Sequence, residues 1–191
     1  DDPFQQFREW FDEALKAEVP EANAMTLSTA DKAGKPSARI VLLKELDEQG
    51  FVFYTNYNSR KGQDLAENPF AALTFFWVEL ERQVRITGKA EKVAPEVSDA
   101  YFKSRPAGSQ LGALASPQSQ SIPSKQFLID KIDELEKTYA DGDIPRPESW
   151  GGYRLIPDEI EFWQGRPNRL HDRIVYLLDD DGQNWSKQRL A

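Results

Sequence analysis

The sequence contains no cysteine, one histidine and one methionine among its 191 residues. The absence of cysteine excludes disulfide bonds and thiolate metal ligands, and it fits a reducing compartment. Because the only histidine is His171, a typical zinc site is not expected either. We therefore predict a cytoplasmic protein without a metal centre.

Positive charge is also scarce. Lysine and arginine number 24 against 32 aspartates and glutamates, so the formal net charge is −8. This excess of acid repels polyanions, and nucleic acid is not expected as a partner, although a local group of cations could still capture a small anion. No stretch of the sequence reaches the roughly 18–20 apolar residues that a membrane-spanning helix needs. We expect no membrane association.

The chain does contain enough apolar and aromatic residues for a folded core. Hydrophobic residues make up 39% of it and aromatic residues 12%, which argues against disorder. At this length we predict one domain over residues 1–191, mainly β with peripheral helices.

The spacing of apolar residues and the positions of turn residues predict the elements of this domain. An amphipathic helix is expected within 1–18, a short helix over 60–68, another over 96–103 and a long helix over 125–140. Strands are expected over 24–30, 37–46, 51–56, 70–78, 82–93, 151–157, 159–164 and 173–190, the last folded at a hairpin turn. Residues 105–124 are expected to form a polar loop. Many short strands with hairpin-like connections predict a closed antiparallel barrel.

Several cations stand where an ordinary core strand would not place them. Arg39 and Lys44 bracket "IVLL", an apolar run that we expect to be buried. Because an unpaired buried charge is costly, both side chains must reach solvent, an acid or a bound anion. Arg60 and Lys61 open the short helix after Ser59, and a helix N-terminus itself attracts anions. Surface strand ends and a phosphate site are both open interpretations.

A second set of polar residues follows in the middle of the chain. Tyr101, Arg105 and Ser109 combine an arginine fork with two hydroxyl donors, which suits a monophosphate, although a solvated loop is the alternative. Gln118 and Ser119 are neutral donors of the kind that bind phosphate oxygens or ring carbonyls. Gln83 lies between apolar neighbours and needs a partner if it is buried.

The string "RPNRLHDR" (166–173) places three arginines and the only histidine in eight positions. A solvated turn, a salt-bridge cluster around Asp172 and an anion site are all compatible with it. The sequence has no G-x-S-x-G elbow, no Walker loop and no G-x-G-x-x-G after a strand. The common hydrolase and nucleotide-binding motifs are therefore absent.

Together these strings resemble the pyridoxamine 5'-phosphate oxidase family, flavin enzymes of vitamin B6 metabolism. The similarity covers nearly the whole chain in the family's order. It rests on "RIVLLK" (39–44), "FYTNYNSRKG" (53–62), "LERQVRITGKAEKV" (80–93), "YFKSRPAGSQLGA" (101–113), "QSQSI" (118–122), "WGGYRLIPDEIEFWQG" (150–165) and "NRLHDR" (168–173). Each string is a weak signal, but the combination is specific.

The resemblance implies an FMN-binding split β-barrel that forms an obligate homodimer, with FMN at the subunit interface. Residues 24–93 would supply the main barrel strands, residues 94–140 a helical segment with substrate and flavin loops, and residues 150–191 the C-terminal strands with the RLHDR motif. The implied FMN ligands are Arg39, Ile40, Val41, Leu42, Leu43, Lys44, Tyr54, Thr55, Arg60, Lys61, Gln83, Gln118, Ser119, Trp163 and Arg173. The implied substrate ligands are Lys44, Tyr101, Arg105, Ser109, Arg169, Leu170 and His171.

The implied reaction oxidises pyridoxamine or pyridoxine 5'-phosphate with O2 to pyridoxal 5'-phosphate, releasing H2O2 and, from the amine, ammonia. Arg169 and His171 are the implied catalytic residues. Three alternatives stay open: a related FMN oxidase of the phenazine-biosynthesis type acting on an unphosphorylated ring, a non-catalytic protein that holds flavin or pyridoxal phosphate, and a structural protein whose cations pair with its acids.

Overall fold

The computed structural model describes residues 2–191. Its strands are β1 (Ala24–Ala30), β2 (Pro36–Leu42), β3 (Glu45–Leu46), β4 (Phe51–Asn56), β5 (Phe70–Trp77), β6 (Arg82–Lys92), β7 (Trp150–Gln164), β8 (Asp172–Leu178) and β9 (Trp185–Leu190). Its α-helices are α1 (Pro3–Lys16), α2 (Arg60–Glu67), α3 (Pro95–Ser104), α4 (Ala107–Ala115) and α5 (Lys125–Thr138). Asp1, part of the predicted 1–18 segment, lies outside the described residues.

The strands form one antiparallel sheet in the order β2-β1-β5-β6-β7-β4-β3, with β8 paired to β7 and β9 to β8. The two ends of this order, β2 and β3, are joined in the chain by Leu43 and Lys44. The Leu43 amide donates to Asn23 O on the β1 side, and the Lys44 amide donates to Val52 O on the β4 side. The sheet therefore curls round on itself, and the prediction of a mainly β split barrel is confirmed.

Helix α1 closes one end of the main core. Asp2 caps it, with its carboxylate accepting from the Phe4 amide, and Pro3 occupies the first turn, where its missing N–H is no loss. Phe7 lies on the apolar face of α1, and its ring is fully buried. The ring packs edge-on against the rings of Phe51 and Phe75, with 5.0 Å between the centroids in each pair. Burying one such side chain contributes about 1.5–3 kcal/mol.

A second, smaller cluster lies under the helical segment. Phe102, Leu111, Ile144 and Trp150 form its buried centre. The prediction of a polar loop over 105–124 is wrong in its first half, because residues 107–115 form α4. Proline, glycine and serine suggested a loop locally, but Leu111 and Ala115 are buried, so packing overrides the weak propensity.

Two strand predictions also need correction. The strands expected over 151–157 and 159–164 are one continuous strand, β7, whose pairing with β6 shifts at a bulge between Thr87 and Gly88. A Cβ on Gly88 would lie 2.0 Å from Ile156 O, so the close backbone approach requires glycine. The expected strand 37–46 is divided into β2 and β3.

The apolar run "IVLL" is not buried as expected. Of its members only Leu43 is buried, and the Ile40 side chain is 64% exposed. Pairing places Ile40 opposite Thr26, Thr26 opposite Thr74 and Thr74 opposite Arg85. Ile40 therefore lies on the outer face of the sheet, where these cross-strand neighbours offer it no cover.

None of the helices described within residues 2–191 is long and apolar enough to cross a membrane.

Candidate functional site

The main cleft has a volume of about 650 Å³ and lies between the β2 and β4 strands and helices α3 and α4. It brings together most residues predicted for the flavin and the substrate phosphate. These are Ile40, Val41, Leu42, Lys44, Tyr54, Thr55, Lys61, Tyr101, Arg105, Ser109 and Gln118. Residues that are more than 70 positions apart in the sequence thus share one cavity wall.

Arg105 is the least satisfied cation of this main cleft. Its Nη1 is buried and has no hydrogen-bond partner in the part of the chain that the structure describes, while its guanidinium lies over the Trp150 ring at 4.6 Å from the centroid. Burial lowers the pKa of Arg105, and the nearby Tyr101 opposes this change. A buried guanidinium donor without an acceptor is costly. Tyr101 and Ser109 line the same wall, so an anion held here would meet an arginine and two hydroxyls.

Three stacked aromatic rings form the floor beside Arg105. The Tyr54 and Tyr101 rings are stacked at 3.9 Å, and the Tyr54 and Trp150 rings are stacked at 5.4 Å. Burial raises the pKa of Tyr54 to about 12. Its phenol therefore stays protonated at neutral pH and can act as a hydrogen-bond donor.

Lys61 is a buried cation whose partners are neutral. Its side chain is only 8% exposed, and its Nζ donates to Thr55 Oγ1 at 3.2 Å and to Gln118 Oε1 at 3.3 Å. Among the described residues no carboxylate lies within 4.0 Å of it. Burial lowers the pKa of Lys61, and the nearby Arg39 lowers it further. Lys61 follows the N-cap Ser59 at the start of α2, where the helix dipole also favours an anion.

Arg39 and Arg60 do not line the main cleft but meet at one buried acid beside it. Asp64 accepts from Arg60 Nε at 3.0 Å and lies 3.8 Å from Arg39 Nη2. Arg39 also donates to Thr29 Oγ1 at 2.7 Å and to Ser37 Oγ at 2.6 Å. Burial lowers the pKa of Arg39; the charge of Asp64 opposes this change, and the positive charge of Arg60 adds to it.

A second cleft, of about 340 Å³, lies on the outer face of the sheet. It is lined by the remaining residues that were expected to contact the flavin or to act in catalysis. These are Gln83, Trp163, Arg169, His171 and Arg173. The imidazole of His171 lies against the Trp163 ring at 4.7 Å. Its Nδ1 accepts from the Arg166 amide at 3.1 Å, so the neutral imidazole carries its proton on Nε2.

Glu161 organises the cations of this second cleft. It is buried and accepts from Arg85 Nη1 at 3.2 Å and from Arg173 Nε at 3.0 Å. Glu161 raises the pKa of Arg173, so Arg173 stays charged. Part of the positive charge is thereby neutralised, and both guanidinium planes are fixed.

The loop that carries Arg169 has an unusual backbone. Asn168 and Arg169 have φ values of 59° and 61°, in the left-handed region that residues other than glycine seldom occupy. Leu170, the next residue, is 77% exposed and lines neither cleft. Asp172 accepts from both Arg166 and Arg189, which ties the loop to β9.

Five predicted site residues line neither cleft. Arg39 and Arg60 are engaged with Asp64, Leu43 is buried in the main core, and Ser119 and Leu170 are exposed. Sequence reasoning missed Trp150, Asp64, Glu161 and Arg85. Asp64 could have been found, because it stands four residues after Arg60 on a helix.

Comparison with known proteins decides the family. A family profile described as "Pyridoxamine 5'-phosphate oxidase" matches residues 11–139. The chain belongs to the pyridoxamine 5'-phosphate oxidase family. A second profile, described as "Pyridoxine 5'-phosphate oxidase C-terminal dimerisation region", matches residues 150–191, which include the second cleft's histidine loop.

Curated members of the pyridoxamine 5'-phosphate oxidase family are similar over almost all of the chain. A pyridoxine/pyridoxamine 5'-phosphate oxidase from Nostoc sp. is 59% identical over 189 residues, covering 99% of this chain and 88% of the relative. One from Synechocystis sp. is 59% identical over 191 residues, covering 100% and 88%. One from Polynucleobacter asymbioticus is 60% identical over 189 residues, covering 99% and 88%.

Two solved structures extend the comparison. PhzG from Burkholderia lata, in complex with tetrahydrophenazine-1-carboxylic acid, superposes with a TM-score of 0.93 at 33% identity, covering 99% of this chain and 92% of that chain. An FMN-binding protein from Nostoc punctiforme, related to pyridoxamine 5'-phosphate oxidase, gives a TM-score of 0.76 at 16% identity, covering 97% of each chain. At 16% identity, the similarity to this second structure shows a shared fold and nothing about function.

Proposed function

We propose that the chain oxidises pyridoxamine 5'-phosphate or pyridoxine 5'-phosphate to pyridoxal 5'-phosphate, with FMN as cofactor and O2 as oxidant. The observation that carries the proposal is the unpartnered, buried Nη1 of Arg105 in a cleft that also holds Lys61. Two separate cationic positions in one cavity suit two phosphate esters, one from the cofactor and one from the substrate. The curated relatives of 57–60% identity support the same activity.

The residues of the main cleft fit FMN. Lys61 has only neutral partners among the described residues and needs an anion, which the FMN phosphate would supply, with Arg39 close enough to act on it electrostatically. Exposed Ile40 and its neighbours Val41 and Leu42 offer an apolar wall for an aromatic ring system. When bound, FMN supplies the two-electron redox chemistry that protein side chains lack.

The substrate phosphate would be held by Lys44, Tyr101, Arg105 and Ser109. Holding the phosphate ester would fix the orientation of the substrate's C4' carbon relative to the flavin. A fixed orientation replaces a random encounter between the two reactants. Arg169 would position the ring, and His171 would exchange a proton near C4' through Nε2, because its Nδ1 is already occupied.

The proposed reaction balances for both substrates. The alcohol loses two hydrogens from C4' and its oxygen, O2 gains them, and the products are the aldehyde and H2O2. The amine loses two hydrogens in the same way to give an imine. Water then adds to the imine carbon and ammonia leaves.

We further propose a homodimer in which the second cleft of one subunit completes the main cleft of the other. The outer face of the sheet carries the exposed apolar residues Ile40 and Phe76, 64% and 60% exposed, beside Gln83, which pairs with Phe76 in register. Exposed apolar surface rimmed by polar residues is typical of a protein interface. The matched dimerisation region, residues 150–191, supports this assembly.

The test is an absorption spectrum of the FMN-loaded protein under anaerobic conditions. Adding pyridoxamine 5'-phosphate should bleach the flavin bands, and air should restore them with one H2O2 and one pyridoxal 5'-phosphate per turnover. A spectrum that persists would contradict catalysis and leave a binding protein. A matched addition of unphosphorylated pyridoxine should react far more slowly; equal rates would favour the phenazine-type alternative.

A further inference from the structure

We infer that Asp64 is a positioning residue for the cofactor phosphate: it holds Arg39 and Arg60 in place beside Lys61 without itself touching the ligand. This inference rests on the proposed function, since it assumes that FMN binds at these cations. Asp64 is not among the FMN or substrate ligands that the family resemblance implies.

The first observation is the burial of Asp64. Its side chain is only 3% exposed, and a buried carboxylate is kept only where partners compensate it. Its partners are Thr29 Oγ1, which donates at 2.7 Å, and Arg60 Nε, which donates at 3.0 Å. Arg39 Nη2 lies 3.8 Å away.

The second observation is that Asp64 connects three elements. Arg39 belongs to β2, Thr29 to β1, and Arg60 and Asp64 to α2. Thr29 Oγ1 also accepts from Arg39 Nη1 at 2.7 Å while it donates to Asp64. The carboxylate therefore fixes the guanidinium of Arg39 directly by charge and indirectly through a shared hydroxyl.

The third observation is the charge of the group. Arg39, Arg60 and Lys61 carry three positive charges, and Asp64 is the acid that pairs with both arginines, while Asp31 lies near Arg60 without pairing with it. The group therefore has a net charge of +2, which matches a phosphate monoester dianion. Without the carboxylate, Arg39 and Arg60 would repel each other and turn towards solvent, so their donors would no longer converge.

The experiment compares two ligands that differ only in the phosphate. Binding of FMN and of riboflavin is measured by quenching of flavin fluorescence, for the wild type and for Asp64→Asn, which keeps the shape of the side chain. The positioning role predicts about tenfold weaker FMN binding, or about 1.4 kcal/mol, with riboflavin binding unchanged within twofold.

Other results would overturn the inference. If FMN binds Asp64→Asn as tightly as the wild type or more tightly, Asp64 serves only as a countercharge. If FMN and riboflavin lose affinity equally, its role is structural. Asp47→Asn is the matched control, because Asp47 pairs with Arg154 in the turn before β4, outside both clefts. It should bind both ligands like the wild type.

The relative affinity of the wild-type protein for FMN and riboflavin distinguishes a failure of this inference from a failure of the proposed function. If wild-type protein binds FMN no better than riboflavin, the phosphate site itself is misassigned and the proposed function fails. If the wild type prefers FMN, the ratio of the two affinities in Asp64→Asn decides the role of Asp64 alone.

Discussion

The guanidinium of Arg105 lies over the ring of Trp150, with 4.6 Å between the guanidinium carbon and the ring centroid, and its buried Nη1 has no acceptor within residues 2–191. The cation–π contact holds the guanidinium against the ring, and the buried Nη1 is left available to bond an anionic ligand. The relationship explains how one arginine can be held rigid in a cleft before any anion arrives.

Arg105→Gln should raise the KM for pyridoxamine 5'-phosphate by about 10- to 100-fold, because a hydrogen bond to a charged group contributes about 1.5–3 kcal/mol. FMN affinity should not change. Steady-state kinetics and flavin fluorescence measure the two quantities. Lys103→Gln, which removes an exposed charge two residues away, is the control, and an unchanged KM in Arg105→Gln would contradict the phosphate assignment.

Lys61→Met should stabilise the ligand-free protein by about 1 kcal/mol at pH 7, because it removes a buried charge without an acid partner. The pKa of Lys61 is lowered on folding from 10.5, so its charge opposes folding fully below the folded pKa. That penalty disappears as the pH rises towards 10.5. The advantage of the variant in chemical denaturation should therefore shrink between neutral pH and pH 10.5.

The same variant should respond differently to ligand. FMN should raise the melting temperature of the wild type through mass action, and this rise should be much smaller for Lys61→Met. Equal thermal shifts in the two proteins would show that Lys61 does not contact the cofactor phosphate.

Arg169→Leu should lower the rate of anaerobic flavin reduction by about 100-fold, because the variant loses a group that orients the reacting atoms. Because Arg169 is expected to contact the substrate and is not among the residues expected to bind FMN, FMN should remain bound. Stopped-flow absorbance measures the rate. Arg8→Leu, an exposed arginine of α1, serves as control, and a wild-type rate in Arg169→Leu would refute the role.

Glu161→Gln should lower the melting temperature by about 2–4 °C, the change that about 1 kcal/mol produces in a chain of this size. The variant leaves Arg85 and Arg173 without their shared buried acid, although their partial exposure to solvent limits the loss. Calorimetry compares it with Glu91→Gln, which breaks the exposed pair with Lys89 and should leave the melting temperature within 1 °C.

The elements that the sequence predicted correctly are those whose signals are local. The periodicity of Phe4, Phe7 and Phe11 was sufficient for α1, and alternation and turn residues were sufficient for most strands. Helix α4 was missed because its propensity is weak and its stability comes from burying Leu111 against distant residues. The expectation that Ile40 is buried failed for the same reason. The exposure of a side chain depends on which residues of the neighbouring strands cover it, and not on the residue itself.

The site was predicted less completely than the fold. Motif order supplied the candidate residues, but it could not show that Arg105 and Arg169 would line separate clefts. Nor could it show that Arg39 turns towards Asp64. Both features depend on side-chain packing between strands that are distant in sequence.

The division of the predicted substrate residues between two clefts has a genetic consequence. In the proposed dimer, one inactive allele altered at Arg105 and another altered at Arg169 should complement each other, since a mixed dimer regains one intact centre. Random reassociation of equal amounts makes half of the dimers mixed, so about a quarter of the wild-type activity should return.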